Sequence, residues 1–224
     1  MESPYNALQD AGSEAVNELP TDTRTEEYTA RLETLEGASW KRWLGVQAPY
    51  RWNLRRLDLG FTLDVGCGVG RNLAHIEGRG VGVDHNPHSV AIARERGFEA
   101  YLEEEFWGSP HATAEAFNAL LFSHVLEHMQ FSAASALVGK YLRLLRGSGK
   151  VVLITPQEAG HRSDPSHVEF TDFETLHRIL ANHRLRPERS FSFPFPRIVG
   201  RIFPFNEFVV VARKGRVGRA PRVW

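Results

Sequence analysis

The chain has 224 residues, 42% hydrophobic and 24% charged, which suits one globular domain with a sizeable core and a modest appendage. Lys plus Arg and Asp plus Glu both number 27, so the formal net charge of +0 sets up no global field for nucleic acid or an anionic membrane, and neither is an expected partner. Cys67 is the single cysteine, which excludes an intramolecular disulfide and a multi-cysteine metal site; no apolar run reaches the roughly eighteen residues of a bilayer span, and the N-terminus is acidic where a signal peptide is basic and then apolar, so a cytoplasmic location is expected.

Residues 1–27 carry seven acids (Glu2, Asp10, Glu14, Glu18, Asp22, Glu26, Glu27) against Arg24 and few large apolar side chains, the composition of a mobile tail. Over 28–58 the aromatic and aliphatic residues Tyr28, Leu32, Leu35, Trp40, Trp43, Tyr50, Trp52 and Leu57 are spaced as one or two amphipathic helices. Residues 59–213 form the expected main domain, and 214–224 a basic tail without an acid.

The most informative stretch opens that domain. Thr62 to Val65 reads as a short strand that runs into Gly66, Gly68 and Gly70, with Leu73 to Ile76 continuing as helix. Alternate glycines permit positive φ and let a ligand approach the backbone amides. The next strand, Gly80 to Asp84, ends in a carboxylate about twenty residues after Asp64, the distance at which a βαβ unit brings an acid to a ribose hydroxyl pair. An adenosine-bearing ligand is therefore expected. The spacing is G-x-G-x-G, not the G-x-G-x-x-G that receives a pyrophosphate, so an NAD-type dinucleotide is disfavoured.

Further along, Ser89 to Arg96 predicts a helix stopped by Gly97, and Phe98 to Leu102 a third strand followed by a loop of Glu103, Glu104, Glu105, Phe106 and Trp107. Asn118 to Phe122 is a fourth strand that carries Ser123 to Met129 out at its C-terminal edge, where open α/β sheets bind ligands. A helix over Ser132 to Leu145, a turn at Gly147-Ser148-Gly149 and a strand over Val151 to Ile154 follow. The loop from Gln157 to Asp172 holds His161, Arg162, Asp164, His167, Glu169 and Thr171, and is either a wet surface connection or an acceptor-binding loop. Phe173 to Leu180 reads as helix, and Leu185 to Phe193 and Asn206 to Ala212 as two closing antiparallel strands. Their apolar, proline-broken connection, 194–205, either tucks under the sheet or lines a substrate pocket.

Asp64-Val65-Gly66-Cys67-Gly68-Val69-Gly70 resembles motif I of the class I S-adenosylmethionine-dependent methyltransferases. Val81-Gly82-Val83-Asp84 resembles that family's second strand, Phe117 to Met129 its fourth strand and loop, and Leu144 to Pro156 its fifth, so the likeness spans about 60–213. It implies a Rossmann-like α/β fold: a seven-stranded, mostly parallel sheet with an antiparallel last strand and helices on both faces. It implies S-adenosyl-L-methionine as methyl donor and S-adenosyl-L-homocysteine as product. Carried over residue by residue, it puts Asp64, Gly66, Cys67, Gly68 and Gly70 at the methionine part of the cofactor, and Asp84 with His85 at the ribose. By register from Ala100, Glu104 falls at the adenine amino group, with Glu103 as rival, and Phe106 against the ring. Ser123 and His124 fall on the side facing the acceptor. The N-terminal helices of such enzymes often cover the cofactor, so Trp40, Trp43, Tyr50 and Trp52 either form a lid or pack on the flank. The chain departs from the family in having Asn118 where an Asp is usual and Gly-Ser-Gly where Pro-Gly-Gly is usual.

A sulfonium-borne methyl group is already activated, so positioning donor and acceptor supplies most of the catalysis, roughly 7 to 11 kcal/mol. A hydroxyl acceptor also benefits from a general base, for which His124, His128, His161 and His167 are available; His167 and His128 come first, with Asp164 to orient His167. No paired-carboxylate pattern suggests a metal cage, so no metal is expected, although Asp164 and Glu169 could share Mg²⁺ with an acceptor. Ser123-His124-Val125-Leu126 stands where enzymes that methylate nucleobase amino groups carry Asn/Asp-Pro-Pro-Tyr/Phe. The expected reaction is O-methylation of a small molecule such as a sugar or secondary metabolite. The alternatives are an RNA or protein methyltransferase, for which the basic tail speaks, and a non-catalytic cofactor-binding module; oligomeric state stays open.

Overall fold

The computed structural model describes residues 47–215. The acidic tail, Trp40, Trp43 and 216–224 of the basic tail lie outside the described residues. Seven strands, β1 (Thr62–Val65), β2 (Gly80–Asp84), β3 (Ala100–Leu102), β4 (Phe117–Ser123), β5 (Leu145–Pro156), β6 (Leu185–Phe193) and β7 (Glu207–Lys214), form one sheet in the order β3-β2-β1-β4-β5-β7-β6. β7 runs antiparallel to both β5 and β6, and the other pairings are parallel. The chain winds outward from β1 to β3 and then returns to β4 on the other side of β1. That reversal opens a crevice at the C-terminal ends of β1 and β4.

The helices are α1 (Ala48–Arg56), α2 (Arg71–His75), α3 (Pro87–Glu95), α4 (Glu103–Trp107), α5 (Phe131–Tyr141), α6 (Glu158–Arg162) and α7 (Phe173–Asn182). They cover both faces of the sheet, as the continuous apolar runs of its central strands require. On β4, Leu120 and Phe122 point into a core shared with Val138 and Tyr141 of α5 and Ile179 of α7. Ala119 and Leu121 point the other way, into a core shared with Leu54 of α1, Leu73 of α2 and Val90 of α3. Strand side chains alternate faces, so one strand feeds both cores.

Several boundaries differ from the sequence reading. The fifth helix ends at Tyr141, a 3₁₀ turn follows over Leu142–Leu144, and β5 already pairs Leu145 with Phe117 before 146–149 bulge out and the ladder resumes at Lys150 and Ala119. The expected loop of three acids is helix α4. Its Glu105 carboxylate accepts from Leu102 N at 3.1 Å and pairs with Arg94 of α3, which closes the first turn. Phe106 is then carried inward to 0% exposure among Tyr101, Trp107, Phe117 and Tyr141. Asn118 has a local use: its Oδ1 accepts from Phe61 N at 3.2 Å and locks the turn before β1.

The connection 194–205 contains a 3₁₀ helix, Arg197–Arg201, and leaves Ile198 and Ile202 69% and 82% exposed, so it is not tucked under the sheet. Tyr50 and Trp52 of α1 pack against Phe193 at the end of β6, and the Tyr50 hydroxyl donates to Phe205 O at 2.6 Å. Tyr50 also lies close enough to Glu207 and to Arg71 after the glycine turn for their charges to act on its hydroxyl.

Candidate active site

The turn after β1 is built by backbone bonds to its neighbour strand. Gly66 N and Cys67 N both donate to Val83 O, at 2.8 and 3.1 Å, and Gly68 N donates to Asp84 Oδ2 at 2.8 Å. Asp84 Oδ1 accepts from Asn86 N at 2.9 Å and lies 3.4 Å from His85 Nδ1. Asp84 thus clasps the glycine turn from the end of β2. Gly66 and Gly70 have φ of 76° and 84°, and each is also required by packing: a Cβ on Gly66 would come within 2.1 Å of Val125 Cγ2, and one on Gly70 within 2.7 Å of Phe98 Cδ2. Cys67 turns its side chain inward against Gly82, where a Cβ would lie 2.6 Å from its sulfur. Burial raises the thiol pKa well above its ordinary value, so the thiol is no nucleophile.

Asp64 is fully buried on β1. Its Oδ1 accepts from Asn72 Nδ2 of α2 at 3.3 Å, while Oδ2 has no hydrogen-bond partner. Burial raises this carboxyl to about 7, against the opposing pull of Asn72 and Arg71. A buried carboxylate oxygen left without a partner makes Asp64 a candidate to receive a cationic or hydrogen-bonding group.

Across the crevice, Val125 joins this turn to the segment after β4. Ser123 is buried at the strand end and His124 follows in the left-handed region, φ 58°. His124 Nε2 meets Glu207 Oε1 of β7 at 2.9 Å, and its Nδ1 lies 3.2 Å from Glu127 Oε1. Burial works against an imidazolium here, but the carboxylates of Glu127 and Glu207 outweigh it and raise His124 to about 9. Glu127 is 0% exposed; burial pushes its carboxyl up, and His124 more than offsets that, leaving it below its ordinary value.

The same turn carries His128 into a cluster with the loop beyond α6. The rings of His128 and His167 are 4.9 Å apart, and those of His167 and His161 stack at 5.1 Å. Asp164 accepts from Ser166 N and Ser166 Oγ at 3.0 and 2.6 Å, and Ser166 lies 3.2 Å from His128 Nδ1. The side chain of Asp164 therefore orients His128 through Ser166, whereas the sequence reading had it orienting His167. Ligand atoms of Glu127, His128 and His167 all lie within 4.8 Å of one another, a grouping compatible with a metal ion. Glu169 is used elsewhere, accepting from Phe131 N at 2.7 Å at the start of α5.

Residues 63–153 match the family described as methyltransferase domain. This stretch is a methyltransferase domain. Those residues belong to a domain whose seven-stranded sheet has the class I methyltransferase architecture. No protein of curated function matches its sequence. Among solved structures it is similar to an S-adenosylmethionine-dependent methyltransferase from Archaeoglobus fulgidus (19% identity, 78% of this chain and 97% of that one, TM-score 0.57). It is also similar to a chain in the complex of the Haloferax volcanii Trm112 methyltransferase activator (16% identity, 88% and 98% covered, TM-score 0.65). A third is the Burkholderia thailandensis 1,6-didemethyltoxoflavin-N1-methyltransferase with bound S-adenosylhomocysteine (18% identity, 96% and 92% covered, TM-score 0.54). At these identities the likeness is one of fold.

Most of the expected site residues gather at one sheet edge: Asp64, Gly66, Cys67, Gly68, Gly70, Asp84 and His85 on one side, Ser123 and His124 on the other. Two expectations change. Phe106 belongs to the core, because α4 turns it inward, and Glu103 is tied to α5 by the Tyr141 hydroxyl at 2.7 Å and Lys140 at 3.0 Å, leaving the exposed Glu104 as the freer acid of the pair. Glu127 and Glu207 were missed. Glu127 stands in a visible H-x-x-E-H spacing, but Glu207 lies 83 residues from the histidine it pairs with. No local pattern announces such a pairing.

Proposed function

We propose that this methyltransferase acts on a hydroxyl of a small molecule. The observation that carries the reading is the polar cluster of half-buried His124, buried Glu127 and His128 directly after β4 and half-buried His167 from the loop beyond α6, with Val125 between it and the glycine turn. In this reading Asp64, Gly66, Cys67, Gly68 and Gly70 hold the methionine part of the cofactor, the orphaned Asp64 Oδ2 accepting from its ammonium group. Asp84 and His85 hold the ribose, Glu104 reaches the adenine amino group, and Ser123 and His124 lie toward the acceptor. The cofactor supplies a methyl group already activated by its sulfonium. The chain's own residues bring the acceptor to near-attack distance and draw the proton from its hydroxyl, a task that falls to His167 and His128, with Asp164 fixing His128 through Ser166. The exposed Phe195, Ile198, Ile202 and Phe205 suit an apolar portion of the acceptor.

The test is incubation with methyl-labelled S-adenosylmethionine and separate pools of hydroxylated small molecules, RNA and protein. Label is expected in the small-molecule pool alone, and at least tenfold less of it with His167→Ala. Label confined to RNA or protein overturns the acceptor class, and label nowhere despite cofactor binding overturns the enzyme reading in favour of a binding module. The same exposed apolar face favours a second reading, a protein partner seated there, as an activator accompanies the Haloferax chain. Under it, Ile202→Glu abolishes co-migration with a partner on gel filtration and leaves small-molecule turnover intact; under the first, it lowers that turnover.

A further inference from the structure

We propose that Glu127, His128 and His167 form a binding site for one divalent transition-metal ion of the Zn²⁺ type, on the acceptor side of the crevice. The three residues offer one oxygen and two nitrogens within 4.8 Å of one another. Four-coordinate zinc with bonds of about 2.0 to 2.2 Å sets its ligands about 3.3 Å apart, so the group needs to contract by up to about 1.5 Å. His167 sits half-buried on the loop beyond α6, and that movement falls to this loop.

Glu127 gives the independent observation. Its side chain is 0% exposed, and neither carboxylate oxygen accepts a well-aligned hydrogen bond, although Oε1 lies 3.2 Å from His124 Nδ1. The His124 imidazolium partners Oε1, which leaves the buried Oε2 as the oxygen without a hydrogen-bond partner and free to complete a cation. A second buried carboxylate, Glu207, lies on the far side of His124, so the region is rich in negative charge.

Both histidines are set up as ligands. His167 Nδ1 lies 2.8 Å from the His161 carbonyl oxygen and so carries the proton, which leaves the lone pair on Nε2. His128 Nδ1 lies 3.2 Å from the Ser166 carbonyl oxygen and from Ser166 Oγ. That hydroxyl donates its own hydrogen to Asp164 at 2.6 Å, so toward His128 it accepts, and His128 adopts the same tautomer. Metal-ligating histidines characteristically donate their other ring N–H to a carbonyl or a hydrogen-bonded group in this way. Two imidazoles and one carboxylate suit Zn²⁺, Mn²⁺ or Fe²⁺; Mg²⁺ prefers oxygen ligands throughout. Three protein ligands leave a coordination position open. Resting on the O-methylation reading, that position takes the acceptor's hydroxyl oxygen; the cation makes the hydroxyl more acidic, its proton leaves to water, and the two histidines hold the cation and take no proton themselves.

The experiment titrates Zn²⁺ into chelator-stripped full-length protein against a chromophoric chelator, with S-adenosylhomocysteine affinity measured on each sample. Wild type is expected to take one equivalent with micromolar or tighter affinity. His167→Ala and Glu127→Gln are expected to weaken it at least tenfold, while His177→Ala, a histidine on α7 bound to Ser190, leaves it unchanged. S-adenosylhomocysteine affinity should stay within twofold throughout. Equal zinc binding in wild type and His167→Ala, or none in wild type, overturns the site. If Glu127→Gln fails to fold, His167→Ala on its surface loop decides. Zinc binding without S-adenosylhomocysteine binding would remove the cofactor assignment and leave the metal site standing; the converse would do the opposite.

Discussion

At the scale of single residues, the site keeps groups that folding alone would not choose. Asp64 is buried with one oxygen unpartnered, and its carboxyl is raised from 3.8 to about 7. A carboxyl raised on folding gives stability that is fully present below its unfolded value and lost as pH climbs through its folded value. Wild type should therefore lose stability between about pH 4 and pH 7 on this account, and Asp64→Asn, which does not titrate, should not. At pH 8 we expect Asp64→Asn to melt several degrees higher than wild type, a gain of at least about 1 kcal/mol, with the difference shrinking at pH 5. The same variant should bind S-adenosylhomocysteine more weakly. Equal melting temperatures at both pH values would show that Asp64 is not an ionised burden on the fold. The glycine turn illustrates a related point. The sequence reading explained Gly66 and Gly70 by a ligand's need for the backbone, whereas Val125 and Phe98 of the protein itself already fill the space a Cβ would take.

Among the elements, the strands were the most legible. Each central strand is a short apolar run bounded by glycine or a turn, and β6 falls where Leu185 to Phe193 placed it. Helix α4 was not, because three successive acids look like a wet loop until Glu105 is seen to close the turn onto Leu102 N and Arg94. With α4 misread, Phe106 was aimed at the adenine ring and not at Phe117 and Tyr141. Phe106→Ala should accordingly cost about 3 to 5 kcal/mol, a fall in melting temperature on the order of 10 °C, while the folded fraction binds S-adenosylhomocysteine within threefold of wild type. A tenfold loss of affinity with little change in melting temperature would return Phe106 to the ligand wall. The ion pairing of His124 was illegible for a different reason: Glu207 reaches it only because β7 inserts between β5 and β6. Contacts made by sheet order leave no mark on local spacing.

For the whole molecule, the sheet order explains why the candidate site residues meet at one edge. The reversal between β1 and β4 opens the crevice, the Asp84 clasp shapes one wall, and the β4 turn with its histidines shapes the other. The fold's likeness to methyltransferases across most of the described chain accords with that division. The central claim is that the glycine turn and Asp84 hold S-adenosylmethionine. Calorimetric titration of wild type and Asp84→Ala with S-adenosylmethionine, S-adenosylhomocysteine and NADH tests it most directly. Micromolar binding of both sulfur nucleotides, no binding of NADH and about tenfold weaker binding in Asp84→Ala, near 1.4 kcal/mol, is the expected result. Absence of sulfur-nucleotide binding, or wild-type affinity in Asp84→Ala, would contradict it.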